Sequence, residues 1–148
     1  MKKRKITARQ KKIMTYTQKR IDRFKKIKNR LEKTIDAHIQ IDMLMTSIIA
    51  MYFCKKAKIL NFTYVLNRLG FMDKLFILKD SKLIDNELFK ELNKINTIRN
   101  RTVHIYYFPS ISEARKIKTT FSKREFEEKT IKCILKLSDV HQKILHKK

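Results

Sequence analysis

The sequence predicts an all-α fold, a helical bundle led by a long basic helix, and three observations carry that prediction. Only one glycine and one proline occur in 148 residues, so the chain lacks the turn chemistry of a sheet protein. Apolar residues, 43% of the total, recur at three- and four-residue steps rather than in alternation. Two of the longer periodic runs open on helix-start signals, Asp85 before Glu87 and Ser122 before Glu125. The length suits one domain with its own core, expected over residues 8–148 behind a basic tail at residues 1–7.

Taken in order, the tail (MKKRKIT) has no apolar stretch behind it and does not read as a secretion signal. From about residue 8, Ile13, Tyr16, Ile21, Phe24, Ile27 and Leu31 approximate one helical stripe, with Lys19, Arg20, Arg23, Lys26 and Arg30 around the rest. Such a basic amphipathic helix suits a solvated face, an RNA-backbone contact or an anionic membrane surface. Residues 35–55 read as a central buried helix: Ile35, Ile39, Met43 and Leu44 lead into MLMTSIIAMYFC. That apolar run is too short to span a bilayer and fits a core helix or a dimer seam. Asn61 is expected to cap a short helix over residues 62–69, which Gly70 ends, and a second short helix follows at about 72–79. The next helix is expected over residues 86–106. Phe108-Pro109-Ser110 stops it, residues 110–121 form a basic loop or short helix, and a last helix follows Ser122. In that helix Phe126, Thr130, Cys133, Leu137, Val140 and Ile144 keep helical spacing.

The helix expected over residues 86–106 holds an anomaly. Leu88, Leu92, Ile95, Thr102, Val103 and Tyr106 define one buried face at about 100° per residue, and Arg99 falls in the middle of it. A guanidinium there is costly unless paired or put to use. Asn93, Asn96, Asn100 and His104 form a polar stripe roughly 100° further round. One account makes Arg99 a structural residue paired with a carboxylate such as Asp42; the other groups Arg99, Asn100 and His104 as a chemical set.

Composition narrows the partners. A net charge of +23 exceeds what solubility requires and points to a polyanion. The charge is front-loaded: the first 33 residues hold 15 Lys and Arg but only Asp22 and Glu32 as acids. Cys54 and Cys133 lack metal-type spacing and read as reduced core residues of a cytoplasmic protein. His38 and Asp42 stand one turn apart, yet no third ligand is evident, so a satisfied histidine or a partner for Arg99 is expected there rather than a metal. No glycine-rich phosphate loop, zinc framework, nucleophile elbow or catalytic carboxylate pair is present in the sequence. No cofactor is expected.

The run IRNRTVH resembles the R-N-x-x-x-H signature of the HEPN superfamily, all-helical domains many of which are metal-independent endoribonucleases of toxin-antitoxin, abortive-infection and CRISPR-linked systems. The preceding segment, from FTYVLNRLG through the LID turn to the motif, looks like the usual HEPN lead-in. The resemblance covers roughly residues 35–107. It places the family's arginine at Arg99, its polar neighbour at Asn100 and its histidine at His104. Residues His104-Ile105-Tyr106 extend the pattern to R-x4-H-x-Y, which looks like HEPN toxins paired with nucleotidyltransferase antitoxins of the MNT type, where the tyrosine is modified. Tyr106 equally suits the core.

On this resemblance the expected function is a metal-independent endoribonuclease, a toxin or defence component, cleaving RNA by attack of its own 2′-OH. His104 would move a proton, Arg99 would hold phosphate oxygens, and Asn100 would orient the imidazole or bind a phosphate oxygen. Lys19, Arg20, Arg23, Lys26, Arg30 and Arg101 would bind the RNA backbone. One histidine does not easily serve both proton steps, and the family's two-copy cleft implies a homodimer with a composite site, with an antitoxin or nucleotidyltransferase as a further partner. The alternatives are a non-catalytic HEPN-like nucleic-acid-binding or regulatory protein, and a basic helical protein of a ribonucleoprotein or an anionic membrane surface. No membrane-spanning segment is expected.

Overall fold

The computed structural model describes residues 8–54, 59–107 and 122–146, and they form six helices. These are α1 (Ala8–Lys26), α2 (Arg30–Phe53), α3 (Ile59–Leu66), α4 (Phe71–Asp80), α5 (Asn86–Tyr107) and α6 (Lys123–His146). No strand occurs among the described residues, so the predicted all-α bundle holds. No described helix is long and apolar enough to cross a membrane. The basic tail, residues 108–121 with the expected Phe108-Pro109-Ser110 stop, and the side chain of Tyr106 lie outside what the structure describes.

Local chemistry sets most helix ends. Asn29 caps α2 by accepting from the Glu32 N–H at 3.1 Å, which breaks the predicted stripe between Ile27 and Leu31 into two helices. Asp85 caps α5, its Oδ1 accepting from the Leu88 N–H at 2.7 Å. Ser122 caps α6 through the Glu125 N–H at 3.1 Å. Two short-helix expectations are corrected. Asn61 lies inside α3, not before it. Gly70 does not close a helix: it is the N-cap of α4, at φ −65° and ψ 161°, and its N–H donates to Asp73 Oδ2 at 2.9 Å. The helix that ends with a left-handed residue is α4, through Lys82 at φ 55°.

Helix α2 is the centre: each of the other five packs against it. Its buried line runs through Ala37, Ile41, Leu44, Met45, Ile48 and Ile49, while Ile39 and Met43, predicted to lead into the core, are about half exposed. Leu88, Leu92 and Ile95 of α5 and Ile134 and Leu137 of α6 complete the core. In α1 the buried residues are Thr17, Ile21 and Phe24, whereas Tyr16 is exposed beneath the Arg20 guanidinium. The Thr17 hydroxyl meets Ser138 of α6 at 3.0 Å. Two lysines are buried with carboxylate partners: Lys33 bonds Glu127, and Lys74 donates to Asp42 Oδ2 at 2.7 Å. Both cysteines are free thiols, and burial pushes Cys133 up to about 12.

Candidate functional site

The polar flank of α5 meets α2 at one point. Asn96 is buried, and its Oδ1 lies 3.1 Å from Nε2 of His38 on α2. The imidazole also stacks on Phe71 of α4, with ring centroids 4.5 Å apart and planes at 26°. Burial and then the neighbouring Arg99 charge hold His38 below its ordinary value of 6.5, against opposing pulls from Asn96 and Asp42. The ring is therefore a neutral imidazole at neutral pH.

Arg99 is half-buried, as its place on the apolar stripe requires. Its Nη1 donates to Asn100 Oδ1 at 3.0 Å, while its Nε is buried without a hydrogen-bond partner. Among the described residues no carboxylate forms an ion pair with it. The predicted pairing with Asp42 is corrected: the Asp42 carboxylate pairs through Oδ2 with Lys74, and its Oδ1 is buried without a hydrogen-bond partner. Asn100 and His104 are both exposed, one turn apart, about 6 Å along the helix axis. Arg99 starts from a direction about 100° away, and the bond to Asn100 turns its guanidinium back toward that stripe. Thr102, on the inner side, is buried with an unpartnered hydroxyl. A fixed cation, an amide and an exposed imidazole thus share one stretch of helix, which is the equipment for binding an oxyanion and moving a proton beside it.

The basic residues lie elsewhere. Lys19, Arg23 and Lys26 are exposed on α1 and line a groove of about 840 Å³ with Asn29. Arg23 also reaches Asp36 at 3.5 Å. Arg20 is half-buried, its guanidinium 4.9 Å over the Tyr16 ring, and Arg30 is exposed in the first turn of α2. Helix α1 packs mainly on α6 and shares no extended contact with α5, so these residues occupy a different flank from Arg99. Arg101 alone of the predicted RNA contacts is exposed on α5 itself.

His38 and Asn96 are the residues that spacing does not join. They stand 58 positions apart, and the available signals were a polar residue on an apolar helix and an asparagine stripe on another. Among the described residues no group of three potential ligands could hold a metal ion. No family model, curated protein or solved structure matches the chain.

Proposed function

We propose that the chain is a metal-independent endoribonuclease of the HEPN type, acting on RNA as a toxin or defence component. The observation that supports it most is Arg99: a half-buried guanidinium with no carboxylate partner among the described residues, bonded through Nη1 to Asn100. A cation placed at that cost and without a counter-charge among the described residues suits an anionic ligand. The RNA 2′-oxygen attacks its own phosphorus while the P–O5′ bond breaks, giving a 2′,3′-cyclic phosphate and a 5′-hydroxyl. His104 takes the 2′-OH proton, His104 of a second copy gives a proton to O5′, and Arg99 stabilises the five-coordinate phosphate. This assignment makes the active form a homodimer, with an antitoxin as its natural partner.

The test incubates purified protein with labelled single-stranded and structured RNA in EDTA, beside Arg99→Ala and His104→Ala, and maps the ends. Cleavage with cyclic-phosphate ends, lowered about 10²-fold or more in each variant, is expected. Equal cleavage by all three proteins, or binding without cleavage, sinks the nuclease. The exposed lysines and arginine of α1, on a different flank from Arg99, favour one second reading: nucleic-acid binding without turnover, marked by a steep salt dependence that Arg99→Ala leaves unchanged.

A further inference from the structure

We propose that His38 and Asn96 extend the Arg99 site into a proton-coupled seat for a phosphodiester oxyanion, in which an anion bound at Arg99 draws a proton onto His38. This rests on the reading of Arg99 as a phosphate ligand, and adds a group from a second helix to it. Four observations converge on it. The His38 ring is anchored on both sides, by Asn96 and by Phe71, so its charge develops at a fixed place. Arg99 stands one turn from Asn96 on α5, its charge is one of the causes that hold His38 low, and its Nε is a buried donor without an acceptor. Thr102, three residues along on the same helix, carries a second buried polar atom without a partner, its hydroxyl. Asp42 gives its Oδ2 to Lys74 and forms no ion pair with Arg99, and its Oδ1 is buried without a hydrogen-bond partner.

The charged groups acting on His38 are Asp42 from its own helix, Lys74 from α4 and Arg99 from α5. In the empty protein, burial and the Arg99 charge oppose its protonation. An oxyanion on Arg99 cancels that field, and the imidazole gains a proton and a second N–H donor. Coupling between proton and anion is reciprocal. A ligand that raises the His38 pKa therefore binds more tightly as the pH falls through the histidine range.

The probe is an all-deoxy oligonucleotide with a 5′-hydroxyl, which has neither a 2′-OH to react nor a terminal phosphate to titrate. Imidazole resonances followed by NMR against pH, with His38 identified by its loss in His38→Gln, report the site directly. Three results are expected. The His38 titration moves to higher pH on adding the oligonucleotide; Arg99→Gln raises it in the free protein and abolishes the response; and affinity tightens by up to about tenfold between about pH 8 and pH 5. In His38→Gln, whose amide can still hydrogen-bond near Asn96 but cannot gain charge, that part of the tightening disappears. A His38 titration indifferent to the oligonucleotide, or one that shifts equally in Arg99→Gln, overturns the proposal. Cleavage assayed separately keeps the two readings apart: turnover without a His38 response removes this inference alone, and a response without turnover removes the nuclease alone.

Discussion

Lys74 is 1% exposed, and its ammonium is tolerated at that depth because Asp42 accepts from it at 2.7 Å. A buried pair of this kind is costly to break from one side and cheap to remove as a whole. Asp42→Leu, which strands the lysine, should destabilise the protein by about 3 kcal/mol, and adding Lys74→Met should recover most of that. Urea unfolding of the two variants decides it; equal losses would mean that Lys74 reaches solvent or another acceptor when Asp42 is gone. The same pair marks how far single residues were legible. Periodicity puts Arg99 on the apolar stripe of its helix, and the structure finds it half-buried. Periodicity does not say which neighbouring helix faces Asp42, so the carboxylate expected to meet Arg99 meets Lys74. That exchange leaves Arg99 with Asn100, and it is why the arginine supports a ligand-binding reading at all.

At the level of elements, the end of α4 carries a cost. The Leu83 N–H donates to Leu78 O at 3.0 Å and the Lys82 N–H to Lys79 O at 2.9 Å, the bond pair of a Schellman turn. Its left-handed position is filled by Lys82 at φ 55° rather than by glycine. A side chain there costs about 1 kcal/mol, partly offset because glycine also gives the unfolded chain more freedom. Lys82→Gly should therefore raise the unfolding midpoint by a stability gain of up to about 1 kcal/mol, and a loss of stability would show that the turn is held by the lysine side chain instead. Element starts were readable where a side chain caps its own helix, as at Asp85 and Ser122. Gly70 was misread because glycine is tolerated at either end of a helix; only the backbone angle separates the two, and φ −65° puts it at a start. Tyr16 was assigned to the buried stripe of α1 on spacing, but Thr17 takes the inner position through Ser138, a partner 121 residues away that no local pattern encodes.

For the molecule as a whole, the scarcity of glycine and proline and the helical periods gave the class of fold, but not which helix stands at the middle. That helix is α2, in contact with all five others, while α1 rests mainly on α6 and keeps most of its first half, from Lys11 to Tyr16, on the outside. Local opening follows such differences in packing. Backbone amides of α2 should exchange with deuterium close to the rate of global unfolding, and those of α1 should exchange faster by mass spectrometry of the intact, folded protein. Uniform protection across both helices would show that the bundle opens only as one unit. With α1 the earlier to loosen, the exposed Lys19, Arg23 and Lys26 would stand on a segment that opens often, and His38, bonded to Asn96, on the last helix to yield. The charged flank and the buried imidazole would then belong to parts of the chain with different lifetimes.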